Sequence, residues 1–417
     1  LSTPKPDLTA RFAQAMECLA PERPSQLGLA VSGGGDSIAL MHLARHWGGA
    51  ELHIATVDHG LRPEAAEEAA FVAHTAGAFG LSHVTLKWEG WSGQGNLQDA
   101  ARQARRSLLT QWAQQEGLQA VLLGHTQNDQ AETFLMRLAR GSGVDGLAAM
   151  APVHDESGIR WLRPLLQFTR DELRDWLRAR NHSWVDDPSN DDTNFDRIKA
   201  RQAVQHLEPL GLSSERLAQT AQRMAEARAV LDAAATDAAR HICRFEHGDF
   251  VFDAAGLDAL AQETRHRLVA RALCEVASKP YRPRLSALRA ALSSASATLH
   301  GCLLTRTAKE LRITREQNAV KGHSAPLDSL WDGRWRAMPP AQTDLPPGLT
   351  ISALGEAGLA QCPDRTGWRL PRRSLLSSPA VWLGSRLIAA PLAGFSPNWR
   401  FCVREPDESF VLTPYSH

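Results

Sequence analysis

The sequence predicts an α/β fold: a parallel sheet with helices on both faces, then a small helical domain and a C-terminal β-containing module. Three observations carry that expectation. Between residues 27 and 180, short apolar runs of strand type alternate with helical periods. The glycine-rich stretch Ser32-Gly-Gly-Gly-Asp-Ser37 lies between one such run and the first amphipathic segment. Past Trp184 the texture changes to a polar, acid-rich loop and then to helical repeats rich in Ala and Arg.

Taken in order, residues 27–31, 51–57, 83–88, 120–124 and 160–162 read as strands, and 37–47, 64–79, 97–116 and 129–140 as helices. Parallel sheets of this kind bind ligands beyond the carboxyl ends of their strands. The glycine loop, Asp58-His59 and Gly124-His125 each follow a predicted strand at that edge, so three polar motifs are expected in one crevice. Downstream, 214–242 predicts a long helix or helix pair, the stretch around 248–253 a hairpin, and 264–277 and 284–292 further helices. From 299 the chain turns β-like, at 299–306 and 310–314, and residues 325–417 combine many prolines, glycines and tryptophans with short apolar runs. The expected domains are therefore 1–205, 206–298 and 299–417.

A chain of 417 residues is long for one core, and two or three domains are the expectation. Lys plus Arg equals Asp plus Glu at 46 each, so no global basic field holds a nucleic acid, and any RNA site must be a local patch. The six cysteines show no CxxC pair and no metal-ligand spacing, which predicts reduced thiols in a cytoplasmic protein. The first ten residues hold two prolines and an acid rather than the apolar segment of a signal peptide. No stretch approaches the roughly 18 apolar residues of a membrane span, so no membrane partner is expected. A homodimer is left open.

Glycines after a strand and before a helix let successive backbone amides face one concavity, and the helix N-terminus adds partial positive charge. That geometry binds phosphate. Ser32 and Ser37 add hydroxyls, Gly33, Gly34 and Gly35 permit close approach, and Asp36 either caps the helix or holds a magnesium ion beside the phosphates. No Gly-Lys-Ser follows, which excludes a Walker loop, and no GxGxxG is present. Asp129 and Glu132, three apart at a helix start, point to one face near Gly124 and His125. Acids there cap a helix or hold a cation. Arg105 reads as a phosphate ligand or a solvated charge, and Arg140-Gly-Ser-Gly143 as a helix end closed by glycine.

The Ser-Gly-Gly-x-Asp-Ser pattern resembles the pyrophosphatase loop of the N-type ATP pyrophosphatases, and within that PP-loop superfamily the chain is similar to the bacterial tRNA(Ile)-lysidine synthetases. Val57-Asp-His-Gly-Leu-Arg62, Asn96-Leu97 with Ala101-Arg102 and Arg105, the run Gly124 to Thr133, Arg140 to Gly143, and Trp184 to Asn190 match that family's blocks in order. The resemblance covers residues 25–200 strongly, and beyond them only 299–316 and Trp331-Asp-Gly-Arg-Trp335 loosely. It implies a Rossmann-like nucleotide domain of the PP-loop ATPase type, using ATP and Mg²⁺. It implies that the first anticodon cytidine of the CAU-bearing isoleucine tRNA is adenylated and then attacked by L-lysine. Asp129 and Glu132 would recognise the amino groups of lysine, Asp58 and His59 would line the adenine and ribose pocket, and the loop at Arg140 would close over the reactive centre. Where the family reads Arg-Asn-Arg-Ile-Arg, this chain has Phe195-Asp-Arg-Ile-Lys199, which keeps Arg197 but loses the leading arginine.

For RNA, Trp368-Arg369-Leu-Pro-Arg372-Arg373 is the best local basic cluster, with an aromatic to stack and guanidiniums to fork onto phosphates. The Arg-rich face between Arg216 and Arg244 is a second candidate. Two other functions compete: a cytidine thiolase of the same superfamily, disfavoured by the missing CxxC, and an ATP-binding RNA-binding protein without turnover.

Overall fold

The computed structural model describes residues 7–60, 64–89, 96–186, 196–341, 345–396 and 398–403. The chain forms two compact units, residues 1–228 and 229–417.

The first unit is built on β1 (Gln26–Ala30), β2 (Glu51–Asp58), β3 (Ser82–Lys87), β4 (Ala120–Leu123), β5 (Val153–Glu156) and β6 (Ile159–Leu162), in the order β3-β2-β1-β4-β6-β5. All neighbours are parallel except β5, which pairs antiparallel with β6. The parallel strands appear where the apolar runs predicted them. The sequence reading passed over β5 because its residues, Val153-His-Asp-Glu, lack the alternation of a half-buried strand; the signal was the turn, where Ser157 and Gly158 both take positive φ. Its helices are α1 (Leu8–Leu19), α2 (Gly35–Trp47), α3 (Glu64–Ala78), α4 (Leu97–Gln115), α5 (Gln127–Ala139), α6 (Val144–Leu147), α7 (Arg170–Arg178) and α8 (Asp196–Leu207). Phe12, Met16, Ile38, Met41, Val72 and Leu173 bury one face of the sheet, so α1, α2, α3 and α7 lie there. Leu109, Trp112 and Ala113 of α4 cover the other face with Val121 and Trp161. Strand order reverses between β1 and β4, both buried along their length, and that switch point sets the crevice.

One continuous helix, α9 (Ser214–Ile242), follows; of the two alternatives, helix or helix pair, it is a single helix of 29 residues. Leu217 and Ala221 near its start join Ala131, Phe134 and Val204 in a satellite core that fixes α8 against α5.

The second unit holds β7 (Cys243–Glu246), β8 (Asp249–Asp253), β9 (Ser296–Leu299), β10 (Cys302–Arg306) and β11 (Glu310–Arg315), with α10 (Ala254–Ala259), α11 (Gln262–Ala277) and α12 (Leu285–Leu292). These strands form one antiparallel sheet, β7-β8-β11-β10-β9, against which α11 buries Leu268, Val269, Leu273 and Val276. The middle of the chain is therefore not purely helical, and the limit expected at 298/299 falls inside β9, a strand hydrogen-bonded to β10 in one sheet. Local periodicity identified the helices, but strand pairing across more than 50 residues leaves no local trace. The last part adds β12 (Ser324–Pro326), β13 (Trp335–Met338), β14 (Leu349–Ala353), β15 (Pro379–Leu383), β16 (Arg386–Ala389) and β17 (Arg400–Val403), the C-terminal antiparallel sheets that the tryptophan-rich sequence suggested.

Among the described residues no helix is long and apolar enough to cross a membrane, and no His, Cys, Asp and Glu cluster has the form of a metal site. All six cysteines are free thiols.

Candidate active site

The glycine loop connects β1 to α2 at the switch point. Gly33 has φ +91°, a conformation that side chains with a Cβ rarely adopt, and α2 begins with Gly34 at its N-cap. The Ser37 hydroxyl donates to the Gly34 carbonyl at 2.9 Å and accepts from the Ser32 N–H at 3.1 Å, which closes the loop on itself. A Cβ on Gly34 would meet only the Ser32 hydroxyl, at 3.9 Å, so the loop faces open space there. Gly124, at the end of β4, has a different function. A Cβ on it would come within 3.2 Å of the Ser37 Cα and 3.3 Å of its N, so glycine lets the second strand end lie against the start of α2. The segment carrying Trp184 runs alongside, with the Val185 N–H donating to the Gly33 carbonyl at 3.0 Å.

The three predicted carboxylates meet on a residue that the sequence reading missed. Arg170, the first residue of α7, donates from Nε to Asp36 Oδ2 at 3.2 Å, from Nη1 to Glu132 Oε1 at 2.8 Å, and from Nη2 to Asp129 Oδ1 at 2.5 Å. Arg201 of α8 adds a bond from Nε to Glu132 Oε1 at 3.1 Å. Asp129 also fulfils the capping alternative: its Oδ2 accepts from the Thr126 N–H at 2.7 Å and hydroxyl at 2.9 Å, while Thr126 caps α5. Asp129 and Glu132 are buried, at 7% and 2% exposure, and Asp36 is half-buried. Two signals could have found the arginines. Thr169-x-x-Glu172 is a capping box, realised here, so Arg170 sits in a helix's first turn, where a cation opposes the helix dipole and needs another partner. Arg201 lies one turn beyond Arg197, on the same helix face.

Electrostatics follow from this packing. Burial raises the Asp36 carboxyl above its usual range, and Asp129 adds to that, against the pull of Arg170 and Arg174. Burial works to raise Asp129 too, but Arg170 above all, with Arg197 and the Thr126 N–H, outweighs it and holds the carboxyl low. Burial, then the guanidiniums of Arg163, Arg197 and Arg105, push His125 down to about 3 despite Asp129 beside it, so the ring is neutral near pH 7. His59 is lowered by burial and by Arg105, and it packs edge-on to Trp88 with ring centroids 5.8 Å apart. Asp58 closes a turn by accepting the Gly60 N–H at 2.9 Å. Arg105 of α4 and Arg197 of α8 thus both act on His125. Among the described residues only two carboxylate oxygens are buried without a hydrogen-bond partner, Asp36 Oδ1 and Glu132 Oε2, and both belong to this cluster. Beside it, Asn128, Glu132, Arg170, Arg174 and Arg201 line a cavity of about 240 Å³.

Other predicted residues lie elsewhere. Arg140 sits at the far end of α5, exposed, within 3.4 Å of Asp196. In the second unit Trp368 is half-buried against the C-terminal core with Arg365 over its ring at 5.4 Å, which leaves less free face for stacking than expected. Arg369, Arg372 and Arg373 are exposed; Arg372 pairs with Glu356 at 2.5 Å, and Arg373 reaches the Ser296 hydroxyl at 3.2 Å. Arg244, the end of the second basic candidate, is neutralised by Glu246 and Glu310. Arg62 and residues 187–190 and 195 of the family blocks lie outside the described residues.

The chain is similar to known proteins along most of its length. A PP-loop domain model matches residues 6–208. A tRNA(Ile)-lysidine synthase of Ruegeria pomeroyi is 47% identical over 401 residues, covering 94% of this chain and 95% of that protein. Proteins of the same name from a Bradyrhizobium species and from Wolbachia pipientis wMel are 41% and 36% identical, covering 64% and 75% of this chain and 79% and 76% of their own. Among solved structures, the U34-tRNA thiolase NcsA from Methanococcus maripaludis aligns with a TM-score of 0.46 at 16% identity, covering 52% of this chain and 80% of that one. With close to half its residues shared along nearly the whole of a curated relative, this chain belongs to the tRNA(Ile)-lysidine synthase family.

Proposed function

We propose that the crevice at the β1/β4 switch point adenylates the first anticodon cytidine of the CAU-bearing isoleucine tRNA and joins lysine to it, releasing pyrophosphate and AMP. The observation that carries this reading is the convergence of Asp36, Asp129 and Glu132 beside the phosphate loop, with two carboxylate oxygens still unpaired. The loop from Ser32 to Ser37 holds the triphosphate, while Arg105 and Arg197 supply positive charge opposite it. Asp58 and His59, at the end of β2, line the nucleoside side.

Magnesium fits this donor set, because Asp36 Oδ1 is buried, unpaired and beside the loop; Asp36 would hold it, and it would neutralise phosphate charge as pyrophosphate departs. The cytosine 2-carbonyl oxygen attacks the α-phosphate, which makes C2 electrophilic. The lysine ε-amine then attacks C2 and AMP leaves. Asp129 and Glu132 hold the lysine amino groups by charge-assisted hydrogen bonds. A free ε-amine has a pKa of about 10.4, so a proton must leave before attack. The neutral His125 adds no competing positive charge at Asp129. The exposed Arg369, Arg372 and Arg373 are proposed tRNA phosphate contacts of the second unit, and Arg140 a contact near the reactive base. Six free thiols fit a reducing, cytoplasmic setting.

Radiolabelled lysine incorporation into the isoleucine tRNA tests this directly. Wild type should incorporate label only with ATP, and Asp36→Ala should not. Label-free tRNA together with tight ATP binding would favour a nucleotide-dependent RNA binder instead.

A further inference from the structure

The three carboxylates of the site share one guanidinium, and its three bonds run to functionally different places. Nε binds the phosphate-loop residue Asp36; Nη1 and Nη2 bind Glu132 and Asp129 of α5. The backbone of Arg170 is fixed: its N–H donates to Asn128 Oδ1 at 3.0 Å, and Thr169 and Glu172 form a reciprocal cap around it. Its side chain lines the 240 Å³ cavity and is held there only through its three carboxylate partners.

Charge counting shows what that arrangement does. Asp36, Asp129 and Glu132 accept directly from only two guanidiniums, Arg170 and Arg201, so three carboxylates share two bonded cationic partners and an ammonium can join them. An ammonium at Asp129 and Glu132 has Glu132 Oε2 free but must compete with Arg170 for Asp129 Oδ1 and Glu132 Oε1. A metal-bound triphosphate on the other side competes for Asp36 and offers the guanidinium a stronger anion. The two events use one side chain.

We propose that Arg170 is a positioning residue that couples nucleotide binding to lysine binding. Nucleotide draws its guanidinium off Asp129 and Glu132 and toward the phosphates, which opens the ammonium site. Lysine therefore binds tightly only after ATP, and by reciprocity ATP binds more tightly when lysine is present. The inference rests on the assignment of lysine to Asp129 and Glu132.

The test is the dissociation constant of radiolabelled lysine by equilibrium dialysis, with and without a saturating magnesium complex of α,β-methylene-ATP. In wild type the analogue should tighten lysine by at least about 5-fold. In Arg170→Gln the ratio should fall to within about 2-fold of unity, and Arg170→Lys, which keeps the charge but not the three-way fork, should lose the coupling as well. A wild-type ratio near unity, or a ratio unchanged in both variants, overturns the proposal. Glu132→Gln separates the two levels. If it leaves lysine affinity unchanged, the lysine assignment fails; if it abolishes lysine binding while Arg170→Gln keeps the nucleotide effect, only the coupling fails.

Discussion

Both units bury arginine against carboxylate, and they do it to opposite ends. In the second unit Arg315 grips both oxygens of Asp332, at 2.8 and 2.9 Å, and Arg312 and the Ser374 hydroxyl meet on Asp249 at 3.0 and 2.6 Å. Among the described residues no buried carboxylate oxygen in that unit lacks a partner. These networks tie the five-stranded sheet to the C-terminal module. In the first unit one arginine is divided among three carboxylates and two oxygens remain unpaired. A buried charge without a partner is costly, so such a site persists where a ligand completes it. Closed pairs are the structural ones, and the open cluster is the proposed site of chemistry.

The comparison is broken most forcefully at its closed end. Asp332→Ala leaves Arg315 and Arg334 buried without their shared carboxylate, and should cost about 3–5 kcal/mol in denaturant unfolding of the second unit, with lysine affinity unchanged. An effect below about 1 kcal/mol would show that these pairs are not structural. At the open end, Glu132→Gln keeps the shape and removes the charge. It should lower kcat/KM for lysine by about 100-fold while shifting the melting temperature less than Asp332→Ala does.

A pH titration sharpens the contrast. His42, stacked on His182 at 3.7 Å, is pushed down to about 4 by burial and then by His182 and Arg45. Its folded value lies below the ordinary 6.5, so the unfolded chain binds the extra proton first. Stability of the first unit should be flat above pH 6.5 and fall as pH drops from 6.5 toward 4. His42→Gln should make that slope shallower in thermal melts, with His125 contributing the rest, and an unaltered slope would assign it to other groups. The smallest effect is expected on the surface. Arg369→Ala should weaken tRNA binding roughly 2- to 3-fold and reduce the salt slope by about one, whereas Arg372→Ala should do less because Glu356 already pairs with that side chain.

Much of the first unit was legible. The glycine loop, the parallel strands and the acids Asp36, Asp129 and Glu132 all announce themselves locally, because strand-loop-helix punctuation and helix-start chemistry act over a few residues. Arg170 was not read, although Thr169 and Glu172 flag its helix, because its partners lie 38, 41 and 134 residues away. The five-stranded sheet was hidden for the same reason: β8 and β11 pair across some 60 residues, and only their separate apolar runs are visible in sequence. Gly124 was expected as a ligand contact, and its close approach to Ser37 is a packing reason for glycine that no local pattern reveals.

The central claim is that the open cluster by the phosphate loop is where ATP is cleaved. Pyrophosphate release by Asp36→Asn, in the presence of isoleucine tRNA and lysine, tests it most directly. The account predicts release at or near background from a protein whose melting temperature matches wild type. Release at the wild-type rate, dependent on RNA and lysine, would contradict it.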